Sequence, residues 1–563
     1  MAAAEAVAAA VAVRRRVALP WQPWSVLLPL LLVQWGAVAV FALTVRHNGW
    51  LYYQGGDQAG YYTSAWALGE GNLPQTFLGW GWPALLSPIA AAAGPSFLHA
   101  LPAILLLQGL LLLPLGLASV YSIASRLGGR GLGYAAAGAW IGAPFLAILA
   151  ADPRYHERWV EQFLPQALGL TGLADFPSMV LLLASAALLL RALDTRRAAD
   201  TVLTGLVLGL AIGVKPANAL FLVGVVLALA WARRIGQGLL LALAMAPALL
   251  VLAVWKQRGL GELPLFALGG HVLAAGQGLS LPQPPPLAAA LGMRYVDIDW
   301  SRLDANLVAL REFFWSSRVY HVLPFIGLVA VLRRSRPAGL LLGGWFFAYF
   351  LVKGSSQYAT VESGAFFRLL LPGLPAYVLL ACAIPLLVPG AGSRLVASGR
   401  RLAAVRRPLP RPRLVVGAAA VGLALAPLVL IAAAPGLPAG AALKYFQNST
   451  YVAQSLDAPR ASVQDGTVRL EWQRAPHTGV GVWYRVLRSD SEPTHCQNPS
   501  GGVVDCQVDV DVQALSTVRE TVAVDAPGRG TWWYAIGVVA NWRDDPALGD
   551  VLLLSRPVRV DVR

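Results

Sequence analysis

Cysteine is scarce in this sequence, with 3 residues among 563. So few thiols exclude a metal cage built from cysteine and a small domain held together by several disulfides. Charged side chains are also scarce, at 13% of the chain, whereas hydrophobic side chains make up 57%. A soluble globular protein of this length rarely has that balance, so the composition predicts a membrane protein with many spanning helices.

Acidic residues are the rarer charged class. The chain has 29 Asp plus Glu against 44 Lys plus Arg, which gives a formal net charge of +15. The basic residues are nearly all arginines in short clusters between apolar runs, as in the cytoplasmic loops of membrane proteins. We therefore expect a lipid bilayer as the surrounding partner, and no nucleic acid.

Long apolar runs mark the candidate membrane spans, because about 20 apolar residues cross about 30 Å of hydrocarbon. The first run follows Arg14, Arg15 and Arg16, is too long for a signal peptide and lacks a cleavage site. Two short runs joined by "VKPAN" leave open a single broken helix or a re-entrant pair. We predict about eleven spans, at 24–45, 98–120, 132–150, 176–193, 201–214, 218–232, 237–255, 319–333, 338–352, 368–388 and 414–434.

The arginine clusters also predict the orientation, since positively charged loops stay in the cytoplasm. Residues 1–23 are then a cytoplasmic N-terminal segment, and 24–435 form the membrane domain of a multi-pass cell-membrane protein. An odd number of spans places everything after about 435 outside. The predicted outer loops are 46–97, 151–175, 256–318 and 353–367.

The composition changes near the C-terminus. After a linker at 436–456, residues 457–563 contain short alternating strands separated by turn residues, which predicts an extracytoplasmic β-sandwich. "VRLEWQRAPHTGVGVWYRVLRSD" resembles a fibronectin type III domain, in which a tryptophan on one strand faces a tyrosine on the next.

Cys496 and Cys506 could form a disulfide in the extracytoplasmic compartment. Cys382 lies in an apolar run, where a free cysteine is a small hydrophobic residue.

The most specific pattern lies in the first outer loop. "GGDQAGYY" places Asp57 ahead of two tyrosines, and "GEGNLPQTFLGWGWPALLSPI" follows. This stretch resembles the first extracytoplasmic loop of the GT-C superfamily of glycosyltransferases, which includes the dolichyl-phosphate-mannose mannosyltransferase-like and aminoarabinose-transferase-like membrane enzymes. Later motifs in the same order extend the resemblance over 24–235 and, more weakly, over 319–388. The superfamily often has two adjacent acids here, whereas Gln58 follows Asp57 in this chain.

The resemblance implies further site residues. Asp175 opens a helix in "LADFPS", Lys215 ends a glycine-rich helix, and Arg368 precedes the late span in "FFRLLLPGLP". Asp57 and Asp175 are the implied catalytic acids. Alternatives stay open for each: a solvated loop acid for Asp57, an N-cap for Asp175, and cations at the membrane interface for Lys215 and Arg368.

The expected chemistry explains why these residue types are needed. Sugar transfer from a lipid phosphate to a hydroxyl requires a base, a site for the departing phosphate and protection from water. Asp57 suits the base, and a single carboxylate implies one displacement with inversion at the anomeric carbon. Lysine and arginine stabilise a departing phosphate. The candidates, at predicted outer ends of spans, are Lys215, Arg368, Lys353 and Arg318.

Aromatic residues in the first outer loop have two interpretations. Tyr61, Tyr62, Trp80 and Trp82 fit an interfacial aromatic belt, or one of them contacts the sugar or the acceptor.

No cofactor is predicted with certainty, and no metal ligand set is assigned, although a divalent metal stays possible. His156 and Glu157 lack a third ligand, and the pair Asp297 and Asp299 fits either acceptor or metal binding or a solvated turn.

We therefore predict an integral membrane glycosyltransferase on the outer face of a bacterial membrane. It would transfer a sugar from a polyprenyl-phosphate-linked donor to a cell-envelope acceptor, which is a glycan, a lipid or a protein. The C-terminal sandwich would bind glycan or steer the acceptor. The alternatives are a transporter or lipid flippase, which predicts charges deep within spans, and a non-catalytic envelope scaffold, in which Asp57 is replaceable.

Overall fold

A computed structural model gives the structure for most of the chain. The described residues are 23–44, 56–69, 78–94, 97–260, 298–315, 317–356, 358–390, 420–429, 450–475, 482–492, 494–497, 504–508, 512–540 and 553–563.

The described part is mostly helical up to residue 429 and forms β-strands after residue 449. Short π-helical turns at Gln108–Leu112 and Trp159–Phe163 and a 3-10 turn at Pro216–Leu220 join some of the helices. The helices are α1 Trp24–Thr44, α2 Gly56–Gly69, α3 Gly81–Ala93, α4 Phe97–Leu107, α5 Leu113–Ala150, α6 Pro153–Arg158, α7 Leu164–Ala167, α8 Asp175–Thr195, α9 Ala198–Val214, α10 Phe221–Trp231, α11 Ile235–Leu260, α12 Trp300–Phe313, α13 Ser317–Arg334, α14 Arg336–Gly354, α15 Ala365–Leu370, α16 Leu374–Ala383 and α17 Ala420–Val429.

Several of these helices are suited to a membrane. Six helical stretches in the described residues are long and apolar enough to cross one: Trp24–Thr44, Ala100–Ala150, Asp175–Thr195, Ile235–Trp255, Arg336–Gly354 and Ala365–Leu387. This confirms the prediction of a multi-pass helical protein with a C-terminal β region. The predicted count of eleven spans is not confirmed, partly because several apolar helices, such as α3 and α9, are shorter than 18 residues.

The stretch Ala100–Ala150 folds back on itself within α5. Gly128 and Gly129 leave the helical conformation, and Gly129 has a φ of 81°, which favours glycine. On either side of this break, the rings of Tyr121 and Tyr134 lie 5.1 Å apart. The 51 residues therefore form an antiparallel hairpin, and its turn falls in the basic "ASRLGGRGLG" segment that the sequence places between two spans.

The "VKPAN" stretch separates two helices with different neighbours. Helix α9 ends at Val214, Pro216–Leu220 forms the 3-10 turn, and α10 then begins. Helix α9 packs against α8 and α11, whereas α10 packs against α14. The two short apolar runs are therefore separate helices joined at Lys215.

Glycines allow helices α9 and α11 to pack closely. A Cβ added at Gly205 would lie 2.6 Å from the carbonyl oxygen of Leu241, and one at Gly209 would lie 3.3 Å from that of Met245. The spacing is the Gly-x-x-x-Gly pattern that brings membrane helices together.

The strands form two sheets within the described residues. The larger has the order β5-β6-β1-β10-β9-β4-β7, with β11 on β9, and the smaller has the order β2-β3-β8. The strands are β1 Thr450–Leu456, β2 Arg460–Gln464, β3 Thr467–Glu471, β4 Val482–Ser489, β5 Thr494–Gln497, β6 Val504–Val508, β7 Gln513–Val518, β8 Val522–Asp525, β9 Gly530–Ala540, β10 Leu553–Ser555 and β11 Val558–Val562. Strand β1 lies in the stretch that the sequence treats as a linker.

The resemblance to a fibronectin type III domain is not confirmed. The ring contact behind it is present, since Trp472 and Tyr484 lie 5.7 Å apart in an edge-on arrangement. However, β1 and β10 pair in parallel, whereas such domains are sandwiches of antiparallel sheets. Strands β1 and β6 also contact α2, the helix that begins beside Asp57.

Candidate functional site

Two carboxylates at the starts of two helices share one arginine. Asp57 lies in the first turn of α2, and Asp175 is the first residue of α8. The guanidinium of Arg368, in α15, donates from Nη2 to Oδ2 of Asp57 and from Nε to Oδ2 of Asp175, the latter at 3.5 Å. A carboxylate at the start of a helix is also stabilised by the helix dipole. The ion pairs therefore join three segments that are remote in the sequence.

Two lysines extend this cluster. Lys215, directly after α9, donates from Nζ to Oδ1 of Asp175. Lys353, in the last turn of α14, lies close enough to Lys215 for their charges to repel. Within the described residues, Lys353 has no carboxylate partner. We call Asp57, Asp175, Lys215, Lys353 and Arg368 the charged cluster.

The charged cluster has a buried end and an accessible end. The side chain of Asp175 is 3% exposed and that of Lys215 is 17% exposed. The side chains of Asp57 and Arg368 are 36% and 32% exposed. An incoming molecule can therefore reach Asp57 directly, whereas Asp175 is enclosed by its two cationic partners.

The cluster lies at one end of the helices that carry it. Helix α8 runs from Asp175 towards Arg191 and Arg196, and α14 runs from Arg336 to Lys353. The arginine-rich turns thus occupy the opposite ends of these helices. In the described residues, the charged cluster and these turns are separated by the length of a helix.

Tight backbone packing brings α3 against the segment that holds Lys215. A Cβ at Gly79 would lie 2.4 Å from the carbonyl oxygen of Gly213, and one at Gly81 would lie 2.7 Å from the backbone nitrogen of Val214. Larger residues do not fit at either position. This explains the two glycines in "LGWGWP", of which Gly79 precedes α3 and Gly81 begins it.

Asn218 holds the turn after Lys215 and was not among the predicted site residues. It is fully buried, and its Nδ2 donates to the carbonyl of Ala211 in α9. Its Oδ1 accepts from Ser178 Oγ at 2.9 Å and from Tyr349 Oη at 2.6 Å. An asparagine inside an apolar run, directly after a Lys-Pro turn, was the available signal, since buried polar groups need partners.

An aromatic cluster supports the helix that carries Arg368. The ring of Phe367 lies 4.4 Å from that of Trp159, 5.4 Å from Phe314 and 5.7 Å from Phe163. Such contacts fix a short helix that has few hydrogen bonds of its own. The contacts of Phe367 with the π-helical turn Trp159–Phe163 therefore fix the position of α15, and with it that of Arg368.

The four predicted sugar-contacting aromatic residues have different positions. Trp82 is fully buried and donates to the carbonyl of Gly172, and Tyr62 is buried with its hydroxyl donated to the carbonyl of Gly94. Neither offers a ring face to a ligand in this structure, because packing against the core uses both faces. Trp80 is half-buried and donates to the carbonyl of Ala248 at 3.2 Å.

Tyr61 is the aromatic residue that lies among the charges. Burial raises the pKa of its phenol well above the usual value, and the nearby Asp175 and Asp57 raise it further. Its hydroxyl therefore stays protonated at every physiological pH. Tyr61 can donate a hydrogen bond in the site, but it cannot act as the base.

The remaining predicted site residues form no ion pair with the charged cluster in the described residues, or lie outside those residues. Arg318 is exposed near the start of α13 and forms no ion pair with the cluster in the described residues. His156 contacts the carbonyl of Ala151 at 2.8 Å. The side chain of Glu157 and all of Asp297 lie outside the described residues. Among those described, no group of three His, Cys, Asp or Glu side chains could hold a metal ion.

Cys496 and Cys506 are described by their backbone alone. They lie directly opposite each other on the antiparallel strands β5 and β6. Their side chains, and therefore the predicted disulfide, lie outside the described residues. Cys382 is a half-buried free cysteine in α16.

Comparison with known proteins gives structural similarity without a sequence match. No family model matches the chain, and no curated protein matches it. The archaeal oligosaccharyltransferase AglB from Archaeoglobus fulgidus, solved with an inhibitory peptide and a dolichol-phosphate, is similar in fold, with 16% identity and a TM-score of 0.45. The match covers 76% of this chain and 57% of AglB, so the chain spans less than two-thirds of that protein.

Two further solved structures are similar. ArnT from Cupriavidus metallidurans, bound to undecaprenyl phosphate, has 19% identity and a TM-score of 0.39 over 72% of this chain and 74% of its own. The arabinosyltransferase EmbB from Mycobacterium smegmatis has 12% identity and a TM-score of 0.31 over 94% and 65%. All three are GT-C glycosyltransferases, the superfamily that the first outer loop resembles in sequence.

Proposed function

We propose that this chain is a membrane glycosyltransferase that moves a sugar from a polyprenyl-phosphate donor to a hydroxyl group of a cell-envelope acceptor. The observation that carries the proposal is the charged cluster itself. An accessible carboxylate, Asp57, lies within one ion-pair network with cations that suit a phosphate. Base and leaving-group site are the two parts that the reaction requires side by side.

Asp57 is the proposed general base. It accepts the proton of the acceptor hydroxyl while that oxygen forms a bond to the anomeric carbon. The bond from that carbon to the phosphate oxygen breaks in the same displacement, and the electron pair leaves with the phosphate. Asp175 is too enclosed to reach an acceptor, since its side chain is 3% exposed. Its role is to hold Lys215 and Arg368 in position, and the sugar inverts because one displacement occurs.

The cations of the cluster are the proposed phosphate site. Lys215, Lys353 and Arg368 are positively charged, against Asp57 and Asp175, so the cluster has an excess of one positive charge. The departing lipid phosphate develops negative charge, which partly buried cations stabilise more strongly than cations in water do. Lys353 supports this assignment best, because no carboxylate in the described residues neutralises it.

The position of the cluster suits a lipid-linked donor. It lies at the ends of apolar helices, where a phosphate head group sits at the interface while its prenyl tail stays among lipid. The arginine-rich opposite ends favour the cytoplasm by the positive-inside rule. We therefore place the reaction on the extracytoplasmic face, together with the C-terminal sheets that contact α2. Those sheets are suited to steering the acceptor towards Asp57.

A test compares two aspartates of equal exposure on this face. Asp57→Asn removes the base, so transfer should fall by about 10²- to 10⁴-fold. Asp152→Asn is the matched control, because Asp152 is 35% exposed and an N-cap, a place where asparagine serves equally well. Transfer by this variant should remain within about twofold of wild type, on the same reasoning.

The assay would use undecaprenyl-phosphate-linked radiolabelled pentoses and hexoses as donors and a cell-envelope extract as the source of acceptor. Incorporation of label and release of undecaprenyl phosphate are the two readouts. A folded Asp57→Asn variant with wild-type transfer would contradict the role of Asp57. A wild-type chain that moves the intact lipid across vesicles and transfers no sugar would favour the transporter instead.

A further inference from the structure

The segment before Asp175 is buried although it has no regular secondary structure. Residues 168–174 connect α7 to α8, and all of them are buried. Backbone amides and carbonyls in such a place need hydrogen-bond partners, because water is excluded. Side chains from other elements must therefore supply those partners.

Three side chains from three elements bind this connecting segment. The backbone N–H of Gly172 donates to Oε1 of Gln58, in α2. The carbonyl of Gly172 accepts from Nε1 of Trp82, in α3, at 2.8 Å. The carbonyl of Thr171 accepts from Nε2 of Gln108 at 2.6 Å. Both polar groups of Gly172 are thus paired with side chains from the helices around the site.

Gly172 has little room for a side chain. A Cβ at this position would lie 3.1 Å from Oε1 of Gln58 and 3.1 Å from the ring of Phe97. Both contacts are tighter than most side chains make, so an added side chain would require Gln58 and Phe97 to shift. The close approach of the Gln58 side chain to the backbone of Gly172 therefore depends on both residues.

We propose that Gln58 is a positioning residue, which sets the distance between the two carboxylates of the charged cluster. It directly follows Asp57, and its partner Gly172 lies three residues before Asp175. One hydrogen bond thus ties together the starts of α2 and α8. Arg368 can then bind both carboxylates at once. This inference rests on the proposed function, because it concerns the geometry of the base.

The side chain at position 58 has a physical reason to be an amide. Gln58 is fully buried, and a carboxylate there would be a buried negative charge beside that of Asp57. An amide oxygen accepts the Gly172 N–H without that charge. At position 58, where the superfamily often has a second acid, this chain therefore has an amide that holds Asp57 in place.

Three variants separate positioning from general stability. Gln58→Met keeps the volume but removes the acceptor oxygen. Gln58→Glu keeps an acceptor oxygen, although its charge should lower the melting temperature. Gln237→Met is the matched control, because Gln237 also joins two helices, donating to the carbonyl of Ala192 at the far end of α8. The wild type and all three variants are compared as folded protein in detergent.

The first measurement is hydrogen exchange of the peptide that contains residues 168–176, which needs no substrate. Gln58→Met should expose the Gly172 amide and speed its exchange at least about tenfold, since a free-energy change of 1.4 kcal/mol is a factor of ten. Gln58→Glu and Gln237→Met should exchange there as wild type does. Wild-type protection in Gln58→Met would overturn the proposal.

The second measurement is sugar transfer with the radiolabelled undecaprenyl-phosphate donors. Gln58→Met should lower kcat by about 10- to 100-fold with little change in KM, because a small misplacement of the base affects the transition state most. Gln58→Glu should retain most of kcat despite its lower stability. Wild-type kcat in Gln58→Met, or an equal loss in Gln237→Met, would overturn the positioning role. Absence of transfer by the wild type would contradict the proposed function, while hydrogen exchange would still decide whether Gln58 holds Gly172.

Discussion

Arg368 forms an ion pair with Asp57, although 311 positions separate them in the chain. Each residue is singled out by its own motif in the sequence, but nothing in either motif indicates that the two side chains meet. Their contact defines the accessible end of the charged cluster, where the proposed acceptor meets the proposed donor. The predictions below test the other members of the cluster and the sheet that contacts α2.

Removing the buried acid should destabilise the protein, because Lys215 loses its partner and Arg368 keeps only Asp57. Asp175→Asn leaves Lys215 and Arg368 without the partner they share, and breaking a buried pair destabilises by about 3–5 kcal/mol. The melting temperature of the purified protein should fall by several degrees. Combining Asp175→Asn with Lys215→Met should restore part of the loss, because the unpaired charge of Lys215 is then also removed.

The control for that prediction is an exposed ion pair. Asp194 pairs with Arg126 at the arginine-rich end, and its side chain is 63% exposed. Asp194→Asn should change the melting temperature little, since exposed pairs contribute about 0–1 kcal/mol. Equal losses from Asp175→Asn and Asp194→Asn would show that the buried network does not stabilise the fold.

Lys353 should bind the lipid phosphate more strongly than the other unpaired basic residues on this face. Lys353→Met removes a half-buried cation that has no carboxylate partner in the described residues, so the affinity for undecaprenyl phosphate should fall about tenfold or more. Binding can be followed by tryptophan fluorescence of the purified protein. Arg311→Met, which removes an exposed cation in the last turn of α12, is the control and should leave the affinity unchanged.

The same titration distinguishes two candidates from the sequence. Arg318 is predicted to bind phosphate from its place at the start of a span, yet in the described residues it forms no ion pair with the charged cluster. A larger loss of affinity from Arg318→Met than from Lys353→Met would contradict the phosphate site that we propose.

Cys496 and Cys506 should form a disulfide in protein isolated from the membrane. Residues directly opposite on antiparallel strands have Cα atoms about 4.5–5.5 Å apart, which is within the range that a disulfide spans. Alkylation after denaturation without reductant should therefore modify one thiol per chain, Cys382, and reduction should expose the other two. The variant Cys382→Ala should then show no free thiol before reduction. Three free thiols without reductant would exclude the disulfide and remove its support for an oxidising location.

Much of the helical organisation was predictable, because it depends on local composition. The basic turn between 98–120 and 132–150 coincides with the break at Gly128 and Gly129. The "VKPAN" stretch was ambiguous for a physical reason: a Lys-Pro turn interrupts a helix in the same way whether the halves realign or separate. The packing of α9 on α11 and of α10 on α14 resolved it. The β region was recognisable from alternation, but its strand order was not, since pairing partners are far apart in sequence.

The sequence by itself determined that this is a multi-pass helical protein with a C-terminal β region, and it pointed to Asp57, Asp175, Lys215 and Arg368, because hydropathy and charge act locally along the chain. Only the tertiary structure decided which of these charges pair, that Asp175 is enclosed while Asp57 is accessible, and that Trp82, Gln58 and Asn218 hold backbone segments. Those facts depend on contacts between helices whose residues are tens to hundreds of positions apart. Local sequence carries no direct information about such distances.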